Sequence, residues 1–577
     1  MYFLTQNDIL DKTWHFLNNR NINNAKELKE LINTKTIKYT NELKLANINK
    51  FIKVLDDSFE NNYEIVLQGD YDVDGMTSTT LFNNFLNDIN YKQVHIGVPD
   101  RRNGYGVNNN MINQMIAHYR LRKKNATFIF MDHGITEIDQ AEYLNNLAKR
   151  NRVKYNLIII DHHEPPIDEI RKRFDNCDVT IINPQDKNNK NLLPVEISAA
   201  AVVYKSLLAY SQLSNIYKNK FNMAKYLYLV GLSTVADSMD VKGENRKFIN
   251  EFINYVNNHS DQKWNAFMSQ NYIDKIDEKT IGWNIAPVLN AASRMEGTCN
   301  KSLQYLNNSK FNQELFNNLI DLNEERKQIV NAIFDSIKNN INDENKYILN
   351  IVLNYKKMNL PVGQSLNGII GLIANKVLQE KHKPVIIFTK GNNGYYGSAR
   401  APEFYHLDLM FNKLDNLLIS HGGHGQAAGV SVKKQYFEEF NKQSQIIMKK
   451  QYQNIVNNNL IRNKYDFEIQ EYSPELENTL NSLKPFGQGF EEPIWHLHDK
   501  ISNLNISLYS SNQNHLKIES IKPELAGFKI IKWNAINDYQ KLQSLNGDDQ
   551  LDITAHVDHW NGITQFIIDN MQIIIKK

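Results

Sequence analysis

Three short apolar runs in the first third of this chain each end on an aspartate. EIVLQG (64–69) runs into Asp70, TFIFM (127–131) into Asp132 and LIII (157–160) into Asp161. Amphipathic stretches lie between most of them, and QVHIGV (93–98) and VTII (179–182) are further apolar runs. Strands alternating with helices predict βαβ units and a parallel sheet. In an open parallel sheet all strand C-termini share one edge, and ligands bind there. Aspartates distant in sequence can therefore converge.

The acidic clusters are Asp70-Tyr71-Asp72-Val73-Asp74-Gly75, Asp132-His133, Asp161-His162-His163 and Asp237, which closes the apolar run LYLVGLSTVAD. Several ionised carboxylates cannot crowd together without a cation between them. With imidazole added and thiolates absent, the donor set suits Mn²⁺ or Mg²⁺. Two such ions ~3.5–4 Å apart clamp the attacking and leaving oxygens of a phosphoryl transfer. Each piece has a simpler reading, since an aspartate after a strand is often a helix N-cap. A calcium loop is a poorer match, because the twelfth residue from Asp70 is Leu81 rather than glutamate. Four clusters in this topology favour the metal site.

The remaining pattern extends the α/β reading. Residues 197–297 read as mostly helical and 311–340 as a long polar helix. A second α/β pattern starts near Tyr347, and short strands after about Leu460 suit a small β-barrel. A chain of 577 residues has room for three or four domains. No stretch approaches the roughly 18 apolar residues of a membrane span, and the first residues carry no signal pattern. Two cysteines, Cys177 and Cys299, imply a reducing compartment. A soluble cytoplasmic protein is the expectation. The net charge of +2 hides a split: residues 346–455 hold 14 Lys/Arg and 6 Asp/Glu, a net of +8, so the rest sums to −6. A basic module beside an acidic remainder fits a phosphate grip next to a carboxylate-built site.

At these residues the chain resembles the DHH phosphoesterase superfamily, whose signature is Asp161-His162-His163. IIIDHHEPP, IINPQ, GLSTVADSMDVKGENR, APVLNAASRMEG, GSAR, SHGGHGQAAG and LKPFGQGFEEP are similar to its RecJ branch, the single-strand-specific 5′→3′ exonucleases. The resemblance implies a metal-dependent exonuclease acting on single-stranded DNA in repair and recombination. Its rivals are a small-substrate phosphodiesterase of short oligonucleotides or cyclic dinucleotides, and a non-catalytic strand-binding replication factor. The implied architecture is an N-terminal helical segment (1–50), a parallel-sheet DHH domain (51–310), a connecting helix (311–345), an α/β DHHA1 domain (346–455) and an OB-type β-barrel (460–577). Further partners on this reading are a single-strand-binding protein and a helicase, the protein itself being a monomer.

The resemblance also assigns roles. Asp132 bridges two divalent ions, Asp74, His162 and Asp237 complete one shell, and Asp72 with Asp70 holds the other. Asp70 is left open as a direct ligand, since relatives with small substrates place a histidine near Gln68. His163 faces the scissile phosphate, Asp161 orients its neighbours, and Arg294 lies near the phosphate. Ser398, Arg400, Gly422, Gly423 and His424 contact the strand, the glycines as a loop whose amides approach phosphate. Arginine is scarce here, 14 of 66 basic residues, so Arg101, Arg294 and Arg400 in Gly/Ser-rich loops stand out as bidentate phosphate grips. PDRRNGYG is one residue shorter than the family's common form, which leaves Arg101 and Arg102 as alternatives. Other departures are Ser198-Ala199-Ala200-Ala201 for an LAGAG-like stretch, and His133 where Asn or Cys is common. Phe486, Phe490 and Trp495 are candidates for base stacking, set against plain core packing.

Overall fold

The computed structural model describes residues 6–104, 106–166, 172–185, 196–354, 366–423, 425–458, 465–509, 514–560 and 562–576. Two compact units emerge, one of residues 39–239 and 248–461, the other of 1–38, 240–247 and 462–577.

The first unit holds two sheets. β1 (Glu64–Gly69), β2 (Val94–Gly97), β3 (Ala126–Met131), β4 (Tyr155–Ile160) and β5 (Val179–Ile182) form a wholly parallel sheet in the order β2-β1-β3-β4-β5. β1, β3 and β4 are buried at every position, which is why they read as unbroken apolar runs. Alternate residues feed two cores. Ile65, Leu67, Ile129 and Ile158 pack on one face, and Val66, Phe128, Phe130 and Ile159 on the other.

The strand order reverses between β1 and β3, and such a switch point opens a crevice at the carboxyl edge. Gly69 pairs with Met131 and Met131 with Ile160, so the strands end level. Asp70, Asp132 and Asp161 follow at the same height, the first two on either side of the switch point.

The second sheet comprises β6 (Leu349–Val352), β7 (Val385–Lys390), β8 (Gly394–Arg400), β9 (Leu418–Gly423) and β10 (Ala427–Lys433), ordered β6-β7-β8-β10-β9. The polar stretch expected as a connector is the helix Gln313–Lys338. Its Ile329, Val330 and Ile333 pack with Ile373, Ala374 and Val377 of the helix Ile370–Lys381.

The other unit contains a seven-stranded sheet in the order β11-β12-β16-β17-β15-β14-β13. Its strands are β11 (Phe467–Glu468), β12 (Trp495–Lys500), β13 (Leu504–Tyr509), β14 (His515–Ser520), β15 (Lys529–Lys532), β16 (Gln550–Trp560) and β17 (Ile563–Ile574). Residues 1–38 belong here: Arg20 donates twice to Asp466, at 2.8 and 3.0 Å, with both residues buried. The proposed stacking aromatics are core. Trp495 is 1% exposed and packs on Phe467 and Phe566, while Phe486 and Phe490 pack on Phe16. Rings buried this way offer no face to a base.

Candidate active site

Local chemistry fixes each acidic side chain at the crevice. Asp72 caps the helix Val73–Asp88, its Oδ1 accepting from the amides of Asp74 (3.1 Å) and Gly75 (3.2 Å). Position 75 must be glycine, because a Cβ there would run into the backbone of Asp70. Asp74, in the first turn of that helix, is fully buried. Its carboxylate accepts from the amides of Ala199 (2.7 Å) and Ala200 (2.9 Å) and from Ser233 Oγ (2.6 Å). Those amides open the helix Ala199–Leu213, where the dipole favours an anion. The sequence reading missed this role for the Ser-Ala-Ala-Ala stretch.

Asp132 has φ of 63°, a left-handed conformation that is strained for a residue with a side chain and concentrates at functional sites. Asp237 caps the helix Leu227–Ala236. Asp161 Oδ1 accepts from the amides of His162 (2.8 Å) and His163 (3.2 Å) and from His163 Nδ1 (2.7 Å). Asn183 and Gln185, inside the quoted IINPQ, donate to the carbonyls of His163 (2.8 Å) and His162 (2.5 Å), a clamp the motif contained without revealing. His133 is buried against Glu137 and the Gln68 carbonyl.

Three groups of donor atoms close to within 4.8 Å: Asp132, His162 and His163; Asp74, His162 and Asp237; Asp70, Asp72 and Asp132. His162 Nε2 stands 3.3 Å from Asp132 Oδ1, 3.6 Å from Asp237 Oδ2 and 3.8 Å from Asp74 Oδ2. Asp132 and His162 each belong to two groups, so the groups are one continuous centre. Every residue expected as a ligand is in it.

The electrostatics report crowding. Burial, reinforced by Asp72, pushes Asp70 up to about 7. Burial and the neighbouring aspartates push Asp132 and Asp237 far above the usual carboxylate range. Asp70 Oδ1 and Asp237 Oδ2 are buried with no hydrogen-bond partner among the described residues. Asp161 behaves oppositely: burial would raise it, but the His163 contact holds it below the ordinary value. Burial would lower His163, yet Asp161 lifts it to about 9.

Beside the carboxylates lies a small pocket with Arg101, Arg102, Arg294, Glu296, Asn367 and Gly368 in its wall. Arg294 Nη1 donates to the Gly368 carbonyl at 3.1 Å, and a Cβ at 368 would strike the Arg294 backbone. Burial first, then Arg101, Arg326 and Arg400, lower the Arg294 guanidinium to about 9. Arg294 is therefore close to three other arginines. Arg101 lies over the Tyr71 ring at 4.3 Å, Arg326 bonds Asn323, and Arg400 bonds Ser398 Oγ and the Ala399 carbonyl. Arg102 differs, being neutralised by Asp100 at 2.5 Å. The alternatives in PDRR thus separate, with Arg101 the one that joins the cluster. Arg326, on the connecting helix, escaped the sequence reading, although the scarcity of arginine was a usable signal.

Ser398 and Arg400 sit on β8. Gly422 and Gly423 do not form the expected loop. They end strand β9, with Gly422 paired to Gly429 and Gly423 to Ala428 of β10, because small residues on both strands extend the antiparallel ladder. His424 lies outside the described residues.

Comparison with known proteins agrees with this geometry. Residues 64–232 match the DHH family, N-terminal domain, residues 362–450 the DHHA1 domain and residues 465–575 the RecJ OB domain. The chain is RecJ-like: it carries a DHH, a DHHA1 and a RecJ OB domain. The single-stranded-DNA-specific exonuclease RecJ of Haemophilus influenzae is 25% identical over 546 residues, covering 88% of this chain and 86% of that protein. The Escherichia coli protein of the same name is 24% identical over 557 residues, covering 91% and 90%. The crystal structure of Thermus thermophilus RecJ in complex with Mn²⁺ aligns over 97% of this RecJ-like chain and 76% of that one, at 18% identity and a TM-score of 0.70. The RecJ-like assignment accounts for a carboxylate centre, an arginine pocket and a seven-stranded OB sheet in a single chain. No helix among the described residues is long and apolar enough to cross a membrane.

Proposed function

We propose that this protein is a metal-dependent exonuclease that hydrolyses single-stranded DNA from the 5′ end, in DNA repair and recombination. The observation that carries the reading is the continuous centre around Asp132 and His162 beside four arginines. The buried, unpartnered oxygens of Asp70 and Asp237 and the raised carboxylates suit a pair of divalent cations, Mn²⁺ or Mg²⁺. Asp74, His162, Asp237 and Asp132 would hold one ion, and Asp70, Asp72 and Asp132 the other. When bound, such a pair activates water and offsets the charge that develops on phosphate.

The chain's own groups supply the rest. Asp161 fixes His163 through Nδ1, which would orient Nε2 toward substrate. A group with pKa about 9 stays protonated at neutral pH, and Nε2–H can donate to a phosphate oxygen. Arg101, Arg294, Arg326 and Arg400 form no ion pair with a carboxylate among the described residues, so their charge is available to strand phosphates. A degradation time course with Mn²⁺, on strands labelled at either end, tests the reading. Mononucleotides should leave the 5′ label first. Release from the 3′ end, or no cleavage by folded protein, would reject it.

A further inference from the structure

Three of the four arginines are tied by hydrogen bonds. Arg294 donates to the Gly368 carbonyl, Arg326 to Asn323, and Arg400 to Ser398 and the Ala399 carbonyl. Arg101 is the exception. Its guanidinium makes no hydrogen bond among the described residues. What meets it is the ring of Tyr71, whose centre lies 4.3 Å from the guanidinium carbon. Both side chains are half-buried. A hydrogen bond occupies a donor, whereas attraction to the negative face of a ring occupies none in particular. Arg101 is therefore positioned with its N–H groups still to give.

Both partners are fixed from behind. Tyr71 stands between Asp70 and Asp72, in the turn that joins β1 to the helix Val73–Asp88. Asp72 pins that turn as the helix cap, and Gly75 packs on the Asp70 backbone with no room for a Cβ. Arg101 begins the single turn Arg101–Asn103. Its amide donates to the Gly297 carbonyl at 2.7 Å, and Asp100 bridges to Thr298. Asp100 Oδ1 also accepts from the Arg102 amide at 2.9 Å and from Arg102 Nε at 2.8 Å. Gly297 has φ of 83°, and a Cβ there would come within 2.8 Å of Arg102 Nε. The Asp100–Arg102 pair thus belongs to the scaffold of the loop, and the side chain between them is the one that reaches Tyr71.

We infer that Tyr71 is a positioning residue: its ring pre-orients Arg101 as a grip on a strand phosphate beside the carboxylate centre. The inference rests on the exonuclease reading and adds to it a role for the aromatic between two aspartates of the centre. Asp70 and Asp72 would hold an ion while Tyr71, in the same three residues, holds the arginine. The spacing between centre and grip is then set within one turn of backbone. An unheld arginine side chain loses rotamer freedom when it closes on a phosphate, and one already held by a ring loses less. The face of the ring does this, so phenylalanine would serve as well as tyrosine. An aliphatic side chain would fill the space without attracting the cation.

The test is a double-mutant cycle on full-length protein. It reads KM and kcat for Mn²⁺-supported cleavage and, separately, single-strand affinity by anisotropy. Tyr71→Leu should raise KM about 5–30-fold, the range that one cation–π contact covers, with a smaller effect on kcat. Tyr71→Phe should stay near wild type, and Arg101→Ala should raise KM at least as far as Tyr71→Leu. In the Arg101→Ala background Tyr71→Leu should add nothing, because the ring then has no cation to hold. Tyr71→Met guards against a folding defect peculiar to Tyr71→Leu. An equal Tyr71→Leu penalty with and without Arg101 would overturn the inference, since the ring would then only pack beside Asp70 and Asp72. So would a Tyr71→Phe penalty as large as that of Tyr71→Leu, which would put the effect on the hydroxyl. A wild type that cleaves nothing but shows the coupling in anisotropy would reject the exonuclease reading and leave the ring contact standing.

Discussion

Metal-free protein should lose stability as the pH rises from about 5 to about 8, and excess Mn²⁺ should restore most of it. The cause is the carboxylate crowd. Burial and then Asp72 raise Asp70 to about 7, and burial with neighbouring aspartates raises Asp132 and Asp237. An unfolded aspartate titrates at about 3.9. Between those values the folded chain keeps protons that the unfolded chain has released, so stability falls as pH climbs. For Asp70 alone the interval from 3.8 to about 7 corresponds to roughly 4 kcal/mol. His163 adds the same sign: with its folded value at about 9, its contribution is complete below the ordinary histidine value and fades as pH rises toward 9. In a calorimeter the metal-free transition should drop by several degrees or more across this range, and the Mn²⁺-loaded one far less. Asp132→Asn removes one ionised neighbour from the group. At about pH 8 the metal-free mutant should therefore melt above metal-free wild type. A metal-free transition that holds steady or climbs over the same range would refute the reasoning.

Asp132→Ala should abolish cleavage in folded protein while single-strand binding, measured by anisotropy, largely survives. Arg400→Ala should raise KM with little change in kcat, a loss of about 1.5–3 kcal/mol for a charge-assisted contact. Its log K against log salt should be shallower by roughly 0.7, whereas a merely structural arginine would lower the melting temperature and leave the slope alone. Arg326→Ala should behave likewise, and Arg326→Lys should recover more of the salt slope than of the affinity. Gly75→Ala should displace Asp70 through its backbone and weaken Mn²⁺ binding, read by titration calorimetry; wild-type affinity would mean that the Asp70 position is not set by that contact.

The parallel sheet was legible because β1, β3 and β4 are buried on both faces and read as plain apolar runs. The acidic cluster was legible because β-strand ends share an edge, so Asp70, Asp132 and Asp161 needed only their place after a strand to be put together. What stayed hidden depends on contacts at long range. Nothing near Asp74 shows that the amides of Ala199 and Ala200, 125 and 126 residues away, will meet its carboxylate. Arg326 sits in a helix with ordinary polar periodicity, and only folding brings it to Arg294. Gly422 and Gly423 misled because glycine clusters usually mark loops, while here they face small residues across a ladder. Phe486, Phe490 and Trp495 were ambiguous by type, since an aromatic beside polar residues suits a stacking platform or a core equally, and burial decides.

The arrangement of charge at the crevice also explains why neither half of it is stable alone. The aspartates around Asp132 repel one another, as their raised proton affinities record, even though amides and Ser233 bond Asp74 and two amides bond Asp72. Nearby, Arg294, buried and pressed by three other guanidiniums, has its proton affinity lowered for the mirror-image reason. Simple neutralisation would pair the two sets, as Arg102 pairs with Asp100. The fold prevents it: Asp74 is held by the Ala199–Leu213 helix, Asp161 by its imidazole, Arg294 by the Gly368 carbonyl and Arg400 by Ser398 and its own strand. Opposite charges are thus kept apart on rigid elements. A phosphodiester with divalent cations would satisfy both, its anionic oxygens meeting the arginines and the cations the carboxylates. Because both sets are fixed before the strand arrives, little reorganisation remains for the reaction itself.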